Sequence, residues 1–325
     1  MDNSSPTMHP AHPWVAAGRD KIRFAIVGGS FPDWARTVEF VQQAEELGFD
    51  AYWANDHPTR ALDCFTMLTA LASVTKTIRL VSLVSCIYYR SPAMIARMAA
   101  DVDQLSDGRL VLGIGIGDDT DEFAQLDIPF PSTPERQAAL EEAIAIIRGL
   151  WDGAPFTYYG KHFRVTNASI RLRPVQQPHV PILLAGGGER VTLRQVARFA
   201  DMSNFGAHEW TGSAFALEDV QRKYDVLRQH CEAVGRPFDS ILRSYYTPLL
   251  VLAETQSAVD AKMSKVRLNP RERYTPFFGT PQAAIAHYQA LIDAGAQYFL
   301  ATIGGSDMET AHLLAERVMP ELQPR

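Results

Sequence analysis

The sequence predicts an α/β fold of the (β/α)8 TIM-barrel class, with a β-hairpin inserted between the fourth and fifth units. Three observations carry this reading. Short apolar runs alternate with helical stretches in roughly eight strand–helix units, which implies a parallel sheet with helical crossovers. Glycines and polar residues cluster after several of those runs, as they do where all strand C-termini converge on one barrel mouth. The length, 325 residues, is one that such barrels reach as a single unit. The rival is a doubly wound open sheet, which places a glycine fingerprint after its first strand and an acidic residue about twenty positions on. Here Gly28-Gly29-Ser30 is not a GxGxxG.

The elements follow in order. Met1 to Arg19 contains Pro, Ser and His without periodicity and reads as an extended tail, with 20–325 as one domain. Ile22 to Val27 is a β-branched strand. Asp33 is placed to cap the helix carrying Trp34, Val38, Val41, Ala44 and Leu47, and Gly48 to stop it. Asp50 to Ala54 is a second strand, and Phe65 to Val74 a helix. Ile78 to Val84, then Pro92 to Leu105, repeat the unit, followed by Arg109 to Ile116 and Pro134 to Leu150. Alternation around Tyr159-Gly160-Lys161 marks a hairpin between Phe156 and Ile170. Later strands are Pro181–Leu184, Met202–Phe205, Ile241–Leu252 and Tyr298–Ile303. Helices follow them near Glu189–Ala200, Leu217–Val234, Pro281–Ala294 and Met308–Val318.

Apolar residues make up 46% of the chain and charged residues 21%, proportions that permit one large core. The net charge of −6 and the lack of a long basic run leave no electrostatic footprint for nucleic acid. Arg271 and Arg273 read as a solvated face. Cys64, Cys86 and Cys231 form no CxxC, so neither a zinc site nor a disulfide framework is indicated. His9 and His12 sit in the tail and are not read as metal ligands. No signal pattern or membrane-length apolar run appears, and the expectation is a soluble, cytoplasmic protein acting on a small molecule.

Four strand ends carry the candidate chemistry. After the fifth strand, Ala185, Gly186, Gly187 and Gly188 let backbone approach an anion, and Arg190-Val191-Thr192 opens a helix whose unpaired N–H groups favour negative charge. The competing reading is a tight turn. Along the fourth strand Gly113, Gly115 and Gly117 share one side, which clears room for a flat aromatic ring and, compatibly, relieves crowding in a tapered interior. At the second strand end Asp56 precedes His57, the side chain that titrates most readily near neutrality. His57 is a candidate proton donor or acceptor, and Asp56 a contact to ring nitrogens or an organiser of its loop. Asp118 and Asp119 are a carboxylate pair that serves either as acid or base or as a cap for the next segment.

Taken together these residues resemble the bacterial luciferase-like monooxygenase superfamily, in particular its coenzyme F420-dependent branch. The match runs through Glu45–Asp50, Asp56-His57, Tyr89–Pro92, Leu105–Gly117, Arg173–Pro181, Ala185–Gly188, Ala200-Asp201, Asn204 and Gly279–Pro281. The resemblance implies a barrel, often dimeric, with a deazaflavin ring at its mouth and phosphate near the fifth-strand glycines. It implies a non-proline cis peptide within Ser82–Ser85, at Leu83–Val84, behind the ring, so Ser82, Leu83 and Val84 join the cofactor-binding set. It also assigns proton transfer to His57, assisted by Asp118. The function so implied is hydride transfer to or from a small organic substrate with F420. The alternatives are an FMN-dependent monooxygenase using reduced flavin and oxygen, and a flavin-binding protein without activity.

Overall fold

Side chains that accept hydrogen bonds from otherwise unpaired amides set where the crossover helices begin. Asp33 accepts from Ala35 N, Asp63 from Thr66 N, Ser91 from Met94 N and Thr255 from Ala258 N. The structure is a computed structural model that describes residues 10–28, 33–270, 272–304 and 307–324. The readings made of His9, Gly29, Ser30 and Arg271 lie outside them, as does the tail before residue 10.

The fold is a (β/α)8 barrel. Its strands are Arg23–Gly28, Ala51–Asn55, Arg79–Leu83, Leu110–Gly115, Ile182–Ala185, Met202–Gly206, Leu242–Leu252 and Tyr298–Ile303. The chain divides into two compact units, one of Met1–Trp53 with Ala185–Arg325 and one of Ala54–Leu184.

In the first unit the eighth strand pairs in parallel with the first, Ala25 opposite Leu300, and with the seventh, Tyr245 opposite Phe299. The seventh continues the sheet to the sixth, Arg243 opposite Ser203. Phe24, Tyr288 and Phe299 are fully buried and meet as a triangle with ring centroids 4.9 to 5.0 Å apart. Each such contact adds about 0.5–1.5 kcal/mol beyond area burial.

The second unit pairs the third strand with the fourth, Leu80 opposite Leu110, and the fourth with the fifth, Leu112 opposite Ile182. Buried charge here is spent on architecture. Asp103 accepts from the amides of Val175 and Gln176 and from the Gln176 side chain, which fixes the chain entering the fifth strand. Arg109 donates to the carbonyls of Ala72, Thr75, Ile78 and Ser106. An antiparallel pair, Phe156–Tyr159 with Arg164–Ala168, occupies the expected place between the fourth and fifth strands. Glu142 pins it by accepting from the amides of Lys161, His162 and Phe163, each at 2.9 Å.

The tail reading needs correction from residue 10 onward. Pro13–Ala17 is a short helix, capped by His12 Nδ1, with Trp14 and Val15 buried. Five residues are too few to show a period, so the apolar pair Trp14-Val15 was the only signal. Other short elements also went unread, among them the helices Thr120–Gln125 and Gln256–Met263 and the strand Phe277–Gly279. Among the described residues, no helix is long and apolar enough to cross a membrane.

Candidate active site

The second strand ends in a loop whose two chemistry-bearing residues do different things. The Asp56 side chain is 1% exposed. Its oxygens accept from Arg90 Nη1, at 3.0 and 2.8 Å, and from Cys86 N, at 3.1 Å. Arg90 also pairs with Asp63, the cap of the following helix. Burial works to lower the Arg90 pKa, but its carboxylate partners outweigh that and raise it. Asp56 thus ties the second strand end to the chain after the third.

His57 remains partly open, with 36% of its side chain exposed. Its Nδ1 lies 3.0 Å from Oε2 of Glu122, a side chain with no exposed surface. Glu122 also accepts from the Thr59 amide and hydroxyl, both at 2.9 Å, and from the Tyr89 hydroxyl at 2.8 Å. Burial alone pushes its carboxyl up, yet the bonds from Thr59, His57 and Tyr89 prevail and bring it down to about 2. Glu122 is then an anion that can only accept, so His57 Nδ1 must carry the proton of the neutral ring and Nε2 is its acceptor nitrogen.

Sequence reading missed Glu122. The signal present was Asp119-Thr120-Asp121-Glu122, a capping-box pattern that announces a helix. Asp119 does cap it, accepting from the amides of Asp121 and Glu122. The Glu122 side chain, however, turns to His57 rather than back to the cap. The carboxylate on the histidine is thus Glu122, whereas Asp118 makes no side-chain hydrogen bond or ion pair among the described residues. His57, Asp119 and Glu122 bring ligand atoms within 4.8 Å of one another. Glu122 already takes four donors and Asp119 pairs with Arg60, so these atoms are committed to protein.

The Leu83–Val84 peptide is cis, at the position the resemblance implies. The fourth-strand glycines make room for it. A Cβ on Gly113 would sit 2.0 Å from the Ser82 carbonyl oxygen, and one on Gly115 would sit 2.6 Å from a Val84 methyl. At Gly117 it would meet Phe123 and Cys86. The space into which a Cβ would project at Gly113, Gly115 and Gly117 is therefore occupied by protein. Ser82 is buried and donates to the Gly113 carbonyl, while Leu83 and Val84 keep partial exposure. Ser85 Oγ is buried and has no partner among the described residues.

In the other unit, Gly186 takes φ +116° and Gly187 packs on the backbone of Gly212, where a Cβ would meet Cα at 2.9 Å. Lys223 donates to the Gly187 carbonyl at 2.7 Å, and His230 Nε2 lies 2.8 Å from the Glu189 carbonyl. Burial lowers the Lys223 pKa. The helix Thr192–Phe199 opens without a side-chain cap, and Arg190 beside it is exposed. Gly186–Gly188 thus close a tight turn that leads into a helix start without a side-chain cap, with the exposed Arg190 next to it. Ala185 ends the strand and is only partly buried.

A histidine oriented by a buried carboxylate thus follows a strand's C-terminal end, the end at which barrels carry their chemistry. The chain belongs to the luciferase-like monooxygenase family, whose profile it matches over residues 7–321. It is 29% identical over 323 residues to the F420-dependent glucose-6-phosphate dehydrogenase of Kineococcus radiotolerans, covering 89% of this chain and 93% of that one. Its fold is similar to the coenzyme F420-dependent tetrahydromethanopterin reductase of Methanopyrus kandleri, with a TM-score of 0.78 at 19% identity over 93% of this chain and 100% of that one. It is also similar to the oxygenating constituent of 3,6-diketocamphane monooxygenase of Pseudomonas putida in complex with FMN. There the TM-score is 0.73 at 15% identity, over 94% of this chain and 100% of that one.

Proposed function

We propose that this chain is an F420-dependent oxidoreductase that moves a hydride to or from a small organic substrate, with His57 handling the accompanying proton. The observation that carries the reading is the His57–Glu122 pair, which leaves Nε2 as the one free proton site on a partly exposed imidazole. The residues fit the cofactor in two places. The orphan Ser85 hydroxyl beside the half-exposed Leu83–Val84 peptide suits a ring that can hydrogen-bond. The uncapped helix start at Thr192 with Arg190 suits an anionic tail.

The bound deazaflavin supplies two-electron hydride chemistry. Where the substrate loses a hydride, His57 Nε2 takes its proton, and the imidazolium so formed faces the Glu122 carboxylate. Where the substrate gains one, the same proton returns. Glu122 and Tyr89 hold the ring in place, and Asp56 with Arg90 holds the loop. Asp118, at the end of the fourth strand, is a second acid–base candidate. We further read the chain as one cytoplasmic domain that works as a homodimer.

An FMN-dependent monooxygenase is the second reading, favoured by the likeness to the FMN-bound structure. Titration of the protein with F420 and with FMN, followed by ring absorbance, separates the two. F420 binding, with turnover lost but binding kept in His57→Asn, is the expected result. Tight FMN binding together with oxygen consumption on reduced FMN overturns it.

A further inference from the structure

One helix, Leu217–Ala233, holds the glycine turn after the fifth strand by its carbonyls. Lys223 Nζ donates to the Gly187 carbonyl at 2.7 Å. Two turns further along the same helix, His230 Nε2 lies 2.8 Å from the Glu189 carbonyl. A carbonyl only accepts, so Nε2 carries the proton there. The turn is pinned elsewhere as well. The Gly186 amide donates to the Asn204 carbonyl at 2.8 Å, and Gly187 leaves no room for a side chain beside Gly212.

In a trans peptide the C=O and the following N–H point in opposite directions. With the carbonyls of Gly187 and Glu189 turned to this helix, the amides of Gly188 and Arg190 face away from it. Both residues are exposed, and neither amide donates to protein among the described residues. Burying a lysine behind such a turn is costly. The Lys223 side chain is 8% exposed, and burial lowers its pKa. Glu189 stands 3.7 Å away and is shared with Arg222, at 3.0 Å, which also pairs with Asp219. What the buried ammonium does is polarise the peptide whose carbonyl it holds, which strengthens the Gly188 N–H as a donor.

We infer that Lys223 is a positioning residue for a phosphate group on the Gly186–Gly188 turn. From behind, it holds the Gly187 carbonyl down and so aims the Gly188 amide at the phosphate oxygens, and His230 does the same for the Arg190 amide. This assignment rests on the proposed cofactor being phosphorylated, and it places selectivity for the phosphate in two side chains behind the turn.

Ligand pairs with and without phosphate test it: FMN against riboflavin, and F420 against the deazaflavin riboside that lacks its anionic tail. Each is titrated into the full chain and followed by ring fluorescence. Wild type should bind the phosphorylated member of at least one pair more tightly. In Lys223→Met that member should lose at least about tenfold in affinity, while the unphosphorylated one keeps its own. If Lys223→Met does not fold, His230→Phe, at a part-buried position, should weaken phosphorylated binding by roughly threefold with the same selectivity. A lysine that only supports the fold would weaken both members equally, and that result, or unchanged binding in both variants, overturns the role. A wild type that gains nothing from the phosphate overturns it too and removes the turn as an anion site. Binding of FMN but not F420, with the phosphate gain lost in Lys223→Met, supports the role of Lys223 and overturns only the hydride-transfer reading.

Discussion

His57 Nδ1 and Glu122 Oε2 stand 3.0 Å apart, although the residues are 65 positions apart in the chain. Because Glu122 is buried, anionic and acceptor-only, this contact fixes both the tautomer and the plane of the imidazole. Glu122→Gln keeps the shape but allows the amide to present an N–H to Nδ1, which selects the wrong tautomer. The expected outcome is a fall in kcat of about 10–100-fold, with KM nearly unchanged and cofactor affinity kept. Steady-state kinetics across pH check it. Combined with His57→Asn, Glu122→Gln should add almost no further loss, because the carboxylate acts only through the histidine. Additive losses would assign Glu122 a separate role.

Stability should fall in mild acid, and one histidine accounts for the first part of the fall. His287 stacks on Phe277 with ring centroids 4.5 Å apart, and burial brings its pKa down from 6.5 to about 4. Its folded value lies below its unfolded value, so the unfolded chain binds the proton first. The contribution is fully present above pH 6.5 and is lost as pH falls through about 4. It amounts to at most about 3 kcal/mol. Glu122 acts at lower pH, its contribution present above 4.5 and lost as pH falls towards about 2. Denaturant melts of wild type and His287→Phe between pH 7 and 4 should show a smaller loss in the variant, which keeps the ring stack without the titrating nitrogen. Equal losses would discard His287 as the cause.

How much of this was legible depends on how far each signal reaches along the chain. The helix Pro92–Leu105 was read to the residue because Ser91-Pro92 marks its start and its apolar face keeps period over several turns. The eighth strand, Tyr298–Ile303, was equally plain. Asp56-His57 and the cis peptide position were legible through likeness to relatives. Glu122 was not, because nothing local distinguishes a carboxylate that turns back to cap its helix from one that turns to a histidine on another strand. The glycines of the fourth strand show the same limit. Their spacing revealed that one side of the strand is bare, but what fills the bare side is the Ser82 carbonyl and the Val84 side chain, from a strand about thirty residues earlier.

The hairpin tests a structural carboxylate. Glu142 gathers three consecutive amides, Lys161 to Phe163, and although burial pushes its carboxyl up, those bonds hold it below the usual glutamate range. Glu142→Ala strands these N–H groups and should cost about 1–3 kcal/mol. Hydrogen exchange should quicken across Phe156–Ala168 while the fourth strand, Leu110–Gly115, stays protected. Uniform loss of protection in both segments would show that the hairpin is not separately held.

Gly113 and Gly115 make different demands, and the difference can be measured. At Gly115 the obstacle is a side chain, the Val84 methyl 2.6 Å from an added Cβ. At Gly113 it is backbone, the Ser82 carbonyl oxygen at 2.0 Å, which cannot move without shifting the third strand. Both Gly→Ala variants should be destabilised by about 1–3 kcal/mol as overpacked sites. Val84→Ala removes the methyls and should restore most of the loss in Gly115→Ala, but little of that in Gly113→Ala. Thermal melts of the two double variants against their single parents give the coupling energies directly. Rescue of neither would mean that Val84 is not what Gly115 accommodates, and rescue of both that Val84, rather than the Ser82 carbonyl, is the obstacle at Gly113 as well.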